Sequence, residues 1–190
     1  MRYVHDGKLC SFAEEGFDSI EQRMWREESI RAIKECIYSY TKFADMADYD
    51  GMASCFVQDG KLSWHPHSPP FASGKENIRA NVKHIVGKAR TQQHFCSNFQ
   101  MYFRSREKVD GECAMFSWQM WLDESKPTTF CSGRYEFQAV VEDGEWRLSS
   151  LLLVLNAKIE NGAIADKREG ENLDRPWPPI AIGEDDDGVL

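Results

Sequence analysis

The sequence has no window approaching the ~20 uninterrupted apolar residues that a membrane helix needs, so no membrane partner is expected. It has no CxxC pair. Its six cysteines, Cys10, Cys36, Cys55, Cys96, Cys113 and Cys131, lie far apart and mostly inside apolar periodic segments, which points to buried reduced thiols rather than a disulfide framework or a zinc site. Positive charge is in deficit, with 23 Lys and Arg against 31 Asp and Glu and a net charge of −8. Without a basic run, phosphate-driven binding of nucleic acid has no electrostatic basis. The start, Met1 to Phe17, lacks the basic segment and apolar run of a secretory signal, and a cytoplasmic location is expected. No segment repeats at a fixed period. What the chain does have is 190 residues that are 42% hydrophobic and 12% aromatic. A folded chain of this size buries roughly 70% of the surface it exposes when unfolded, enough for a core with a pocket in it.

From about Ser19 to Asp48, Ile30, Ile33, Ile37, Tyr40 and Ala44 recur at spacings of three and four, the pattern of an amphipathic helix. Asp48 caps a short second helix, and Asp59-Gly60 reads as a turn before a strand over Lys61 to His65. Pro66, Pro69 and Pro70 end that strand in a loop. Ser73-Gly74-Lys75-Glu76 has the form of a capping box, predicting a third helix with Ile78, Val82, Ile85 and Val86 on its buried face. From Gln92 the period changes to two, with strands expected at about 92 to 104, 111 to 122, 129 to 142 and 145 to 156. Asp110-Gly111 and Asp143-Gly144 read as hairpin turns, with Ser125-Lys126-Pro127 as the middle connection. The fold class is therefore α+β: a cone-shaped, curved, mostly antiparallel sheet with three N-terminal helices on its concave face, enclosing a pocket. Residues 1–26 read as an N-terminal extension with the start of the first helix, 27–156 as the domain, and 157–190 as an acidic, Pro-containing tail. Trp177 and Ile180 of that tail could pack over the pocket mouth or on a neighbouring subunit, and the composition equally fits a partly disordered tail.

Several runs in this order resemble the SnoaL-like branch of the nuclear transport factor 2-like superfamily. They are Tyr40 to Asp48 leading to Cys55-Phe56, Gly74 to Ile78, His94 to Asn98, Gly133-Arg134-Tyr135, and Asp143 to Leu148. The sequence is similar to scytalone dehydratase, bile acid 7α-dehydratase and lindane dehydrochlorinase in placing an Asp on the first helix and a His on the sheet. The resemblance implies that Asp45 and His94 are catalytic, and Tyr40 matches the pocket tyrosine of the bile acid enzyme.

Asp45 lies about 80° around the helix from Ile37, at the border of the apolar face, where a carboxylate can reach a cavity mouth or simply be a solvated helix-end acid. His94 stands in an otherwise apolar or small strand, where a lone histidine is more often a hydrogen-bonded core residue. Paired with a carboxylate, it suits proton abstraction next to a carbonyl or protonation of a leaving hydroxyl. Tyr40 could hydrogen-bond a substrate oxygen or be a satisfied core tyrosine. Asp48 is fully accounted for as a cap, and His65, His67 and His84 read as surface or rim residues with no metal-triad spacing. The segment Ala114 to Leu122 carries bulky groups on both faces, Phe116, Trp118 and Met120 on one, Met115 and Trp121 on the other. Such a strand implies pocket on one face and a subunit interface on the other, with plain core packing as the alternative account of either. Trp64, Phe116 and Trp118 are taken as substrate-binding, and a homo-oligomer, dimer or trimer, is expected.

The function expected from the resemblance is a dehydratase-type lyase or an isomerase that uses no cofactor or metal. Its substrate would be a small hydrophobic ring compound such as a steroid or polyketide. A polyketide cyclase or epoxide hydrolase could use the same cavity. A non-catalytic domain, like the β subunits of ring-hydroxylating dioxygenases, is the remaining class.

Overall fold

The computed structural model describes residues 4–5, 8–9, 19–63, 72–160 and 163–167. In chain order the elements are β1 (Val4–His5), β2 (Lys8–Leu9), α1 (Ile20–Asp45), α2 (Tyr49–Ser54), β3 (Phe56–Ser63), β4 (Ala72–Ser73), α3 (Lys75–Val86), β5 (Ala89–Ser105), β6 (Lys108–Trp121), β7 (Thr129–Glu142), β8 (Glu145–Glu160) and β9 (Ala163–Lys167). β1 and β2 form a small hairpin. The other strands make one sheet in the order β4-β3-β8-β7-β6-β5, with β9 added beside β8. All its pairings are antiparallel except β3 with β8. This is the expected α+β architecture.

α1 begins where its sequence asks it to. The Ser19 hydroxyl accepts from the Gln22 backbone N–H at 3.2 Å while the Gln22 side chain accepts from the Ser19 N–H at 2.9 Å, a reciprocal cap. Its buried stripe is Arg26, Ser29, Ile33, Ile37, Tyr40, Thr41 and Ala44. Ala47 takes a left-handed φ of 55°, and the Asp48 N–H bonds back to the Phe43 carbonyl at 2.8 Å, so the chain leaves α1 sharply. Asp48 then caps α2 by accepting from the Gly51 N–H at 2.9 Å. The core joins Ile33 and Ile37 of α1, Met52 of α2, Phe56 and Leu62 of β3 and Ile78 of α3 to Phe137, Leu148 and Leu151 of the sheet.

Three local expectations are corrected. Asp59-Gly60 is not a turn before a strand: β3 starts at Phe56 and carries the pair through a register irregularity between Phe56 and Lys61. Ser73 does not cap α3, because it pairs with Lys61 in β4, and Gly74 at φ 85° takes the cap position without a side-chain bond. Asp110-Gly111 lies inside β6, not at its turn. The buried Asp110 carboxylate is held there by Arg104 at 2.7 Å and Gln138 at 3.0 Å. Gly111 is needed because a Cβ would come within 2.5 Å of the Phe137 ring. Asp143 and Gly144, at φ 53° and 80°, do make the tight reversal between β7 and β8. Cys36, Cys55, Cys96, Cys113 and Cys131 are all free thiols. Among the described residues no helix is long and apolar enough to cross a membrane.

Candidate functional site

Between the helices and the concave face of the sheet lies a cavity of about 320 Å³, within the size range of small-molecule sites. Its wall is largely apolar, with Met52, Leu62, Ile85, Val86, Leu153 and Leu155 contributed by α2, β3, α3 and β8. Polar groups enter from Tyr40, Gln92, His94, Ser117, Gln119, Tyr135 and Lys158.

Asp45 is the last residue of α1 and His94 sits six residues into β5, and the packing of α1 on β5 brings the two together. The Asp45 Oδ1 to His94 Nδ1 distance is 2.6 Å, and Asp45 Oδ2 accepts from the His94 backbone N–H at 3.0 Å. One carboxylate therefore fixes both the ring and the strand that bears it. The imidazole is 11% exposed and the carboxylate 23%. His94 lines the cavity, whereas Asp45 stands behind the ring. With Nδ1 committed to Asp45, Nε2 is the nitrogen left for a ligand. Gln92 reinforces the joint by donating to the Ala44 carbonyl, one of the carbonyls at the end of α1.

Tyr40 is buried edge-on against the Phe56 and Tyr135 rings, at 5.8 and 6.2 Å between centroids. Burial pushes the hydroxyls of both tyrosines well above the ordinary phenol range. Both stay protonated at neutral pH, so each offers the cavity an O–H donor. Tyr135 was not singled out as a site residue. The only signal for it was its place in the Gly133-Arg134-Tyr135 run.

The two strand residues expected to touch substrate are placed elsewhere. β6 turns Met115, Ser117, Gln119 and Trp121 into the cavity, so Phe116 and Trp118, on the alternate positions, do not line it. Phe116 instead stacks on the outer face between Phe95 and Phe130, at 6.2 and 6.1 Å. Trp64, His65 and His67 lie outside the described residues, as do Trp177 and Ile180. His84 is exposed on α3, with its Nε2 3.0 Å from Lys88 Nζ. Among the described residues, no group of three His, Cys, Asp or Glu is placed to hold a metal ion.

Comparison with known proteins agrees with this architecture. A scytalone dehydratase-like protein of Novosphingobium aromaticivorans is 22% identical, superposes with a TM-score of 0.68, and is matched over 78% of this chain and 97% of its own. A type 2 hexachlorocyclohexane dehydrochlorinase is 19% identical with a TM-score of 0.66, over 78% and 99% of the two chains. A type 3 form of that enzyme from Novosphingobium barchaimii is 20% identical with a TM-score of 0.64, over 73% and 93%. These likenesses concern the fold. No curated protein matches the sequence. The pattern of the SnoaL-like domain, part of the nuclear transport factor 2-like superfamily, matches residues 25–151, and the chain belongs to that family.

Proposed function

We propose that the protein is a lyase of the dehydratase type, or an isomerase, that acts on a hydrophobic ring-containing substrate by acid–base chemistry on side chains alone. The observation that carries this reading is the 2.6 Å contact between Asp45 and His94 at the wall of an apolar cavity. In the elimination, His94 Nε2 takes a proton from the carbon next to a substrate carbonyl. Tyr40, with Tyr135 beside it, donates a hydrogen bond to the carbonyl oxygen as negative charge grows there. The electron pair of the broken C–H bond forms the new double bond as the neighbouring C–O bond breaks. The proton on His94 passes to the departing hydroxyl, which leaves as water. Asp45 orients the ring and balances its charge between the two transfers. In isomerisation, the same proton returns to another carbon. The dehydratase-like and dehydrochlorinase names of the structural neighbours support a lyase of this kind.

The test is a panel of cyclic β-hydroxyketones, followed by mass spectrometry for loss of water. Turnover by the wild type that disappears in His94→Ala and Asp45→Asn is the expected result. Wild-type rates in either variant would sink this assignment.

A further inference from the structure

Along β8 the residues facing the cavity are Leu153 and Leu155, and simple alternation would next present Ala157. The strand does not alternate there. Leu155 pairs with Gly133 and Ala157 with the adjacent Ser132, leaving Asn156 as an extra residue in a β-bulge. The bulge fits because β7 has glycine opposite it: a Cβ at Gly133 would come within 2.1 Å of the Val154 carbonyl oxygen. Beyond the bulge the faces exchange, and Lys158 lines the cavity.

Lys158 then falls in register with the proposed acid–base group. His94 pairs with Ser117, Ser117 with Cys131, and Cys131 with Lys158, and all four line the cavity. The row spans three strand intervals, ~14 Å along the sheet, with the imidazole at one end and an ammonium at the other. The ammonium is held in place. Glu160 binds Lys158 Nζ at 2.7 Å and is itself held by the Thr129 hydroxyl at 3.1 Å, which accepts from the Trp121 indole N–H at 2.9 Å. The Lys158 side chain is 34% exposed, and an ammonium has three donors, so Glu160 does not exhaust it. Among the described residues lining the cavity it is the one lysine or arginine, in a protein of net charge −8.

We propose that the cavity accepts a ring compound bearing a carboxylate at the end remote from His94, with Lys158 as the partner of that carboxylate. This names the substrate class of the proposed lyase or isomerase and rests on that reading for its chemistry. The binding claim rests on the cavity alone.

The test is calorimetric titration of the full-length protein with 2-naphthoate and with its neutral isostere 2-naphthamide. The wild type is expected to prefer the carboxylate by about tenfold or more, the range of a charge-assisted hydrogen bond. Lys158→Met should abolish the preference while leaving naphthamide affinity within about twofold, and Lys158→Arg should keep it. A preference that survives Lys158→Met overturns the proposal. So does equal weakening of both ligands, or binding of neither by the wild type at millimolar concentration. His94→Ala should retain the carboxylate preference, so loss of the catalytic reading and loss of this one give different results.

Discussion

Both faces of β6 carry bulky apolar groups, and they end in different environments. The inner face sets Met115, Ser117, Gln119 and Trp121 against the cavity, with polar and apolar groups mixed. The outer face carries Phe116 in a ladder with Phe95 and Phe130, all three exposed. Hydrophobicity therefore does not tell which face is the site. The inner face is distinguished by what its neighbours place opposite it, His94 and Asp45 at one side and Tyr40 above.

If that contrast is right, the largest effect comes from the inner face. His94→Ala should lower kcat/KM by ~10²- to 10⁴-fold, and Asp45→Asn by ~10²-fold, chiefly through kcat, in steady-state assays on the substrate found in the panel. Gly133→Ala should cost about 1–3 kcal/mol in urea unfolding, because its Cβ would meet the Val154 backbone, which cannot rotate away. Gly111→Ala should cost a comparable amount, since its Cβ would meet the fully buried Phe137 ring at 2.5 Å and the Gln100 carbonyl oxygen of the paired strand at 2.8 Å.

A smaller effect concerns pH. Burial holds the Tyr40 hydroxyl above its unfolded value, which is about 10. Stability from keeping it protonated is present below pH ~10 and is lost as pH rises further, because the unfolded chain ionises first. Tyr40→Phe should lose less melting temperature than the wild type in that range. An identical alkaline decline in both proteins would contradict the buried placement. The smallest effect belongs to the outer face. Phe116→Ser should leave turnover within about twofold, and light scattering on the same variant checks whether the expected dimer or trimer depends on this ladder. A loss of activity comparable to that of His94→Ala would erase the distinction between the faces.

Much of this was legible before the structure. The helix stripe through Ile33, Ile37, Tyr40 and Ala44 and the cap at Asp48 follow from local spacing alone, and both are present. Asp45 and His94 could be named from the resemblance, but their contact depends on how α1 docks across β5. The face of β6 was not legible, because alternation gives two faces and bulky groups occupy both. Asp110-Gly111 has the composition of a turn but is held in a strand by Arg104, Gln138 and the Phe137 ring, none of them close in sequence except Arg104. Lys158 was hidden for a different reason. The expected strand stopped at Asn156, and only the unequal pairing opposite Gly133 shows that the faces exchange there.

That exchange makes the end of the cavity sensitive to chain length as well as to residue identity. Deleting Asn156 would substitute nothing, yet regular alternation would then bring the present Ala157 inward and turn Lys158 to the opposite face. A cationic cavity end would become a small apolar one in a single step, while His94, Asp45 and the rest of the wall kept their places. An insertion or deletion within one strand can in this way change what a binding site recognises without touching its chemistry.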